Sequence, residues 1–177
     1  MKFVNNLDAP QFLASDVCTG TGVSPSTLKN WISRNPPIIV MQDSDREAHM
    51  AGRPLRFTLR RIVQIGITYE LVRFGIDPRP AAMAARRFTD SGNKDRLPGF
   101  HFAKGETFLA QHPRLPVPRI INVNERTHFL ELLRRINPHR KSTVIGGVYL
   151  NIGEVEFFIR ARLKMEREVF KMPAAGK

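Results

Sequence analysis

Apolar residues in the first half of the chain recur every three or four positions, which is the spacing of amphipathic helices. Residues 11–18 form the first such stretch, and a glycine-containing stop follows at 19–22. A second helix is predicted to begin after Ser24, whose hydroxyl can accept a hydrogen bond from a first-turn amide, with Pro25 at the first helical position. These two short helices around a glycine turn predict a helix-turn-helix pair.

The second helix is predicted to have an apolar face and a polar face. Val23, Leu28 and Ile32 are expected to pack inward. Short polar side chains, a lysine and an exposed tryptophan remain, and such side chains suit contacts with the phosphates and base edges of a DNA groove. An ordinary surface helix is the alternative. The candidate contact residues are Ser24, Ser26, Thr27, Lys29, Asn30, Trp31 and, just after the helix, Arg34.

A β-hairpin is predicted to follow, because two prolines end the helix and residues 38–41 have the β-branched composition of a strand. A polar loop covers residues 42–52, and residues 54–57 can return as the second strand. Arginines on such a wing could contact a phosphate backbone, although arginines on a hairpin are often only solvated. The candidates are Arg46, Arg53 and Arg56.

Two further helices are predicted downstream of the hairpin. Thr58 can cap the first, whose buried stripe ends before Gly75. Asp77 and Pro78 provide the cap and the first residue of the second, whose packing face consists of alanines and Phe88.

The second half predicts a small module of strands and helices after a linker at residues 89–98, so the whole chain is expected to be α+β. Its last helix is predicted to be long, with Asn151 as its cap and an apolar stripe that continues to Phe170. Such a stripe is more often core than interface, but its length leads to the hypothesis that part of it pairs two protomers. The elements follow the order β-β-β-α-β-α, in which the first two strands form a tight hairpin and the strands cover residues 99–103, 107–111, 119–123 and 143–150.

The charge of the chain indicates the kind of partner. Its 177 residues carry 28 Lys and Arg against 16 Asp and Glu, with a net charge of +12 and a pI near 10.8. This balance favours a polyanionic partner such as nucleic acid or a lipid surface, and ribosomal or membrane-surface roles could give the same sum. The excess is +4 up to Gly92 and +8 after it, so both halves contribute.

The cellular location follows from the cysteine content and the hydropathy pattern. Cys18 is the single cysteine, which rules out an internal disulfide and fits a reducing compartment. No stretch approaches the roughly 20 apolar residues of a membrane span, and residues 1–10 have no apolar run typical of an export signal. The expected location is the cytoplasm, in association with the nucleoid.

A two-part signature lies in the first two predicted helices: Ala14-Ser15-Asp16-Val17 followed by Gly22-Val23-Ser24-Pro25-Ser26-Thr27-Leu28-Lys29-Asn30-Trp31. With this signature, the first half resembles the N-terminal winged helix-turn-helix of the MerR family of DNA-binding regulators. The match covers about residues 12–88, with residues 52–57 in the place of the wing and 58–74 in the place of the third helix. The resemblance implies that the second helix enters the major groove, that Lys29 and Trp31 touch phosphates, and that Arg53 or Arg56 contributes from the wing.

The chain departs from this family in three respects. The family usually has Arg and Tyr at the positions of Lys29 and Trp31, and lysine offers a point charge without the planar fork of arginine. The wing loop is long. No long helix of the kind that pairs MerR-type dimers is predicted after Phe88, and there are no cysteines to bind a metal effector. The chain is therefore divided into a DNA-binding domain at residues 1–90 and an α+β module for dimerisation or signal input at 91–177.

No catalytic, cofactor or metal pattern is readable. The five histidines lack the paired spacing of metal ligands, Gly146-Gly147 lacks the motif of a phosphate loop, and no Ser-His-Asp order is present. We therefore expect neither an enzyme nor a bound cofactor or metal. A basic cluster in the second half is usually a solvated loop, but the charge of that half leads to the hypothesis that it also approaches DNA. Its residues are Arg134, Arg135, Arg140 and Lys141.

These features together predict a sequence-specific transcriptional regulator that binds double-stranded DNA as a homodimer, without a membrane partner and with an unknown effector. An excisionase-like or architectural accessory protein of recombination or replication is the main alternative. RNA or ribosome association driven by charge is a third.

Overall fold

The computed structural model describes residues 5–46, 54–111, 118–124, 147–166 and 170–171. These residues form six helices and one three-stranded antiparallel sheet, which confirms the predicted α+β class. The helices are α1 (Ala14–Thr21), α2 (Pro25–Ser33), α3 (Asp43–Arg46), α4 (Leu59–Arg73), α5 (Pro78–Thr89) and α6 (Ile152–Arg162), and the strands are β1 (Glu106–Gln111), β2 (Arg119–Val123) and β3 (Val148–Asn151).

The first two helices form where the sequence predicts a helix pair, with shifted bounds. α1 begins at Ala14, three residues later than predicted, because Phe12 instead pairs with Phe57 in an isolated antiparallel bridge. It ends at Thr21, and the capping residue Gly22 has a φ of 78°, a left-handed conformation that glycine adopts without strain. α2 begins as predicted, with Ser24 as the cap and Pro25 as its first residue.

The predicted hairpin strand at residues 38–41 is wrong. Ile38 and Ile39 are buried, but their backbone amides both donate to the carbonyl of Trp31, at 2.9 and 3.0 Å, and the short helix α3 follows. The β-branched composition therefore reflects burial against α2 and not strand pairing. Within residues 54–57, Phe57 pairs with Phe12 and not with the 38–41 segment. Residues 47–53 of the predicted wing lie outside the described residues.

α4 is the central helix of the fold, and its predicted cap is confirmed. The hydroxyl of Thr58 accepts a hydrogen bond from the amide of Arg61 at 3.2 Å. Every residue from Leu59 to Thr68 except Arg60 is buried, because α5, α6 and α1 surround the helix. Gly66 allows α6 to come close: a β-carbon there would lie 2.7 Å from Cδ1 of Ile159.

α5 begins after Asp77 with Pro78 as its first residue, as predicted, although the Asp77 side chain makes no cap hydrogen bond. Its small-residue face is buried as expected, with Phe88 1% exposed. The exposed residues of α5 include Arg79, Met83, Arg86 and Arg87.

The sheet has the order β2-β1-β3, and both pairings are antiparallel. Leu109 in the central strand stands opposite Ile120 on one side and Leu150 on the other. The predicted hairpin between residues 99–103 and 107–111 is wrong, because 99–103 forms no strand and His101 makes a single bridge with Lys171. The helix predicted between the 119–123 and 143–150 strands, and the start of the 143–150 strand itself, fall on residues 125–146, outside the described part of the chain.

The last helix has the predicted cap but not the predicted length. Oδ1 of Asn151 accepts a hydrogen bond from the amide of Glu154 at 3.3 Å. The helix spans 11 residues and ends at Arg162, so the expectation that it reaches Phe170 is wrong. Lys164 leaves the helix with a φ of 54°, and Phe170 packs on Phe100. The apolar stripe is buried against α1 and α4 and is core: Ile152, Val155, Ile159 and Leu163.

The stretch predicted as a linker is held against α5. Arg96 is 2% exposed, and its guanidinium donates to backbone carbonyls that include those of Phe88 at 2.9 Å and Arg87 at 3.0 Å. Burial lowers the pKa of Arg96 to about 10. The larger of two hydrophobic clusters in the described residues runs from Leu7 to Leu163 and includes residues of both halves, and Ala110 and Ile121 belong to the smaller one. The domain boundary at residues 90 and 91 stays a prediction.

Candidate nucleic-acid interface

The polar face of α2 is open to solvent. Ser24, Ser26, Lys29 and Asn30 are exposed, and Thr27 is half-buried. Within the described residues, the side chains of Lys29 and Asn30 make no hydrogen bond or ion pair. α2 also contains no acidic residue, so nothing on the helix neutralises the lysine. This face offers one cation and one amide to a partner.

Trp31 was expected to be exposed, and that expectation is wrong: the residue is 3% exposed and belongs to the core. Trp31 lies three residues after Leu28, so both side chains fall on the same face of the helix. Ile32, which was expected to pack inward, is only half-buried. Trp31 therefore holds α2 against the core, and its indole has little surface for a phosphate contact.

In the first turn of α2, some of the side-chain hydroxyl groups form hydrogen bonds within the helix. Oγ of Ser24 accepts a hydrogen bond from the amide of Thr27 at 3.1 Å and donates to Oγ1 of Thr27 at 2.8 Å. Oγ of Ser26 lies 3.0 Å from Oγ of Ser24. The Ser24 hydroxyl is thus committed to the cap, while Ser26 and Thr27 retain hydrogen-bonding capacity.

Two arginines extend the basic surface beyond the C-terminal end of α2. Arg34 is the exposed residue that ends the helix. Nη2 of Arg79, in the first turn of α5, donates to the carbonyl of Pro36 at 3.1 Å. This contact brings Arg79 to the chain segment that contains Arg34. Sequence reasoning missed Arg79, although its place off the apolar stripe of α5 was the available signal.

Of the other predicted cations, Arg56 has a side chain that the structure describes. Arg56 is half-buried, and its Nη1 donates to the carbonyl of Gln11 at 3.0 Å beside the Phe12 and Phe57 bridge. It therefore has a structural contact within the chain. The Arg46 side chain and all of Arg53, Arg134, Arg135, Arg140 and Lys141 lie outside the described residues.

Several cations of this basic chain are used inside the fold. Arg60 donates to both carboxylate oxygens of Asp8, at 2.6 and 2.8 Å, and this bond holds the pKa of Asp8 below its ordinary value. Arg160 pairs with the buried carboxylate of Glu156 at 2.7 Å. The net charge of +12 therefore does not translate directly into free surface cations.

A buried carboxylate fixes the segment that follows α2 onto α4. Oδ2 of Asp45 accepts from Nε of Arg61 at 2.9 Å and from the amide of Gln42 at 3.0 Å. Oδ1 accepts from the hydroxyl of Thr58 at 2.9 Å and from its amide at 3.2 Å. Sequence reasoning placed Asp45 in a polar loop. The available signal was Arg61, because an arginine beside the apolar residues Ile62 and Val63 of a buried helix needs a partner.

An apolar groove of about 610 Å³ runs along α2 on the side facing α1. Burial raises the pKa of the Cys18 thiol, which lies on its wall. Lys29 lies at the same groove, so its stem has apolar neighbours while its ammonium group stays exposed. Other residues that line it are Leu13, Leu28, Ile32, Leu55 and Phe57.

The described residues contain no candidate metal site, because no three of their His, Cys, Asp or Glu side chains stand close enough together to hold a metal ion. None of their helices has both the length and the apolar content needed to cross a bilayer. In comparisons with known proteins, the chain matches no protein-family model and no curated protein sequence.

Proposed function

We propose that this chain is a sequence-specific DNA-binding protein, resembling MerR-type transcriptional regulators, that reads DNA with the exposed face of α2. The observation that carries the proposal is the division of α2 into two faces. Leu28 and Trp31 anchor one face in the core, while Lys29 and Asn30 stand exposed on the other without an internal partner among the described residues. A rigidly held helix with an open cation and an open amide is the arrangement that major-groove recognition requires.

The side chains of α2 have separate roles in this mechanism. Asn30 can pair with an adenine edge through its amide, and the hydroxyls of Ser26 and Thr27 can bind either a base or a phosphate. Lys29 neutralises a phosphate and gives affinity without sequence information. Ser24 acts by fixing the start of the helix through its bond from the Thr27 amide, and the positive end of the helix dipole there favours a nearby phosphate.

The flanking cations extend the contact along the DNA backbone. Arg34 and Arg79 come from different helices to the same end of α2, so they would bind phosphates beyond the bases that α2 reads. A wing built from residues 47–53 is part of the proposal, with Arg46, Arg53 and Arg56 on the neighbouring phosphates. The basic cluster in the second half of the chain would also approach DNA, and binding to DNA would associate the protein with the nucleoid. The residues of this cluster are Arg134, Arg135, Arg140 and Lys141.

An accessory protein of recombination or replication is the second candidate, and the last helix favours it. α6 ends at Arg162 and its apolar stripe is used in the core, so the described residues contain no long pairing helix of the MerR type. A small protein that binds and bends DNA needs no such helix and no effector. The sites bound in the genome separate the two candidates: promoters with a changing transcript, or attachment and replication sites with none.

Selection of bound duplexes from fragmented genomic DNA tests the proposal. We expect a shared sequence motif for the wild type, and loss of that motif for the Ser26→Ala and Asn30→Ala double variant. Gln42→Ala, which removes an exposed amide outside α2, is the matched control and should retain the motif. Equal affinity of the wild type for selected duplex, scrambled duplex and RNA at physiological salt would defeat it.

A further inference from the structure

The outer face of α6 carries three exposed residues in a line. Glu154, Phe158 and Arg162 are spaced four residues apart, so they lie one above the other on the helix. The phenyl ring of Phe158 is 54% exposed. This face is separate from the buried stripe of the same helix and from the proposed DNA-reading face of α2.

A pocket of about 340 Å³ lies beside this line, where α6 and α4 meet the ends of α1 and β3. Gly66, Val155 and Ile159 line it, and its edge includes a second exposed ring, Phe74, which is 61% exposed. An apolar cavity of about 150 Å³ is enough to hold benzene, so this pocket has room for a phenyl side chain from outside. Two exposed phenylalanines at one pocket are unusual for a surface that meets only water.

The charges along α6 are complementary to themselves after a twofold rotation. With a rise of about 1.5 Å per residue, Glu154 and Arg162 lie about 6 Å on either side of Phe158, and about 12 Å from each other along the axis. That separation is too long for a direct ion pair within one helix. In an antiparallel pair of such helices centred on Phe158, each Glu154 instead stands opposite the partner's arginine at position 162.

We propose that this face, formed by α6 and the end of α4, is a docking surface for a second copy of the chain. Phe158 of one protomer enters the pocket of the other beside Phe74, and Glu154 and Arg162 form two equivalent ion pairs across the axis. The charge pattern selects a second copy over an unrelated partner, because one pattern supplies both halves of the interface. This inference does not rest on the proposed function, and its surface differs from the apolar stripe first considered for pairing.

Sedimentation equilibrium without DNA tests this interface. We expect a concentration-dependent dimer for the wild type, and Phe158→Glu should raise the dimer dissociation constant by about 30-fold or more, the effect of losing a buried aromatic anchor. Met83→Glu places the same charge at an exposed methionine of α5 and should leave the dimer unchanged. A monomeric wild type, or a dimer that Phe158→Glu does not weaken, would overturn the inference.

Charge reversal identifies the geometry of the pair. Glu154→Arg and Arg162→Glu should each weaken self-association, and an equimolar mixture of the two variants should form a heterodimer. In that heterodimer one ion pair is the original one and the other has reversed sign, so both are attractive. Nη1 of Arg162 also donates to the carbonyl of Gly20 at 3.2 Å, so circular dichroism must show that Arg162→Glu is folded. If Arg162→Glu is unfolded, the self-association of Glu154→Arg alone tests the antiparallel pairing. Self-association of Glu154→Arg that equals the wild type would contradict the antiparallel pairing.

Dimer formation and DNA binding can fail separately in these measurements. A chain that dimerises through Phe158 but binds no DNA supports this inference and removes the proposed function. A chain that binds a specific duplex as a monomer supports the proposed function and removes this inference.

Discussion

Nε of Arg61 donates a hydrogen bond to Oδ2 of Asp45 at 2.9 Å, and both side chains are almost completely buried, at 1% and 0% exposure. The pair joins the segment after α2 to the first turn of α4. The same carboxylate accepts from Thr58, which caps α4. One buried aspartate thus sets the position of the chain on both sides of the 47–53 segment.

Removal of this carboxylate should destabilise the fold. Asp45→Ala leaves the Arg61 guanidinium buried without its main partner, and loss of one member of a buried pair costs about 3–5 kcal/mol. The free energy of unfolding in urea measures the effect. Asp43→Ala, in the same short helix but exposed, is the matched control and should change that free energy by less than about 0.5 kcal/mol. Similar losses for the two variants would contradict the buried pair.

Trp31 should report the core and not the DNA interface. As the single tryptophan, it should emit at short wavelength and resist quenching by iodide, because its side chain is 3% exposed. Trp31→Phe should lower the free energy of unfolding by about 1–3 kcal/mol and leave the DNA affinity of the folded protein unchanged. A variant of full stability that has lost DNA affinity would restore the phosphate role implied by the family resemblance.

The Asp8 and Arg60 pair should give a small stability contribution that depends on pH. Because Arg60 lowers the pKa of Asp8 in the folded state, the contribution is complete above the ordinary value of 3.8 and disappears as the pH falls through the lowered pKa. Asp8 is half exposed, so the effect is at most about 1 kcal/mol. Asp8→Asn should therefore destabilise at pH 6 and cease to do so in strong acid. Asp95→Asn, which removes an exposed carboxylate, is the control.

Cys18 should be a slow thiol. Its pKa is raised by burial above the ordinary value of 9.0, and the thiolate is the reactive form. Alkylation by iodoacetamide at pH 8 should be slower in the folded protein than in urea, and the midpoint of its pH profile should lie above 9.0. A folded protein that reacts as fast as the unfolded chain would show that the groove wall does not shield this residue.

Local signals predicted much of the fold. Ser24, Thr58 and Asn151 all accept the hydrogen bonds expected of helix caps, because a cap depends on residues within one turn. The strands at 107–111 and 119–123 also form nearly as predicted. In these elements, the residue composition and the cap or turn residues that bound it lie within a few positions of each other and predict the same structure.

Long-range contacts explain the errors. Residues 38–41 have strand-like composition, but Ile38 and Ile39 are buried against Trp31 and find no strand partner there. The apolar spacing of the α6 sequence continues beyond Arg162, yet the chain leaves the helix at Lys164 and Phe170 packs against Phe100. The spacing of apolar residues alone does not distinguish a buried residue in a helix from one that packs against the core after the helix has ended.

The candidate site was predicted in outline. The polar face of α2 is exposed at Ser26, Lys29 and Asn30, as the spacing indicated. The prediction that Trp31 is exposed was wrong, because the apolar residues of a nine-residue helix are compatible with two different buried stripes. The approach of Arg79 to Pro36 joins residues 43 positions apart, which a single sequence does not encode locally.

The salt dependence of binding by α2 variants tests the central claim most directly. Affinities for the selected duplex and a scrambled duplex are measured for the wild type, Lys29→Ala and Asn30→Ala. Lys29→Ala should weaken binding to both duplexes alike and reduce the salt slope by about 0.9, while Asn30→Ala should cost about 1–3 kcal/mol on the selected duplex only. If neither variant changes affinity, or the wild type binds both duplexes equally, α2 is not the reading helix.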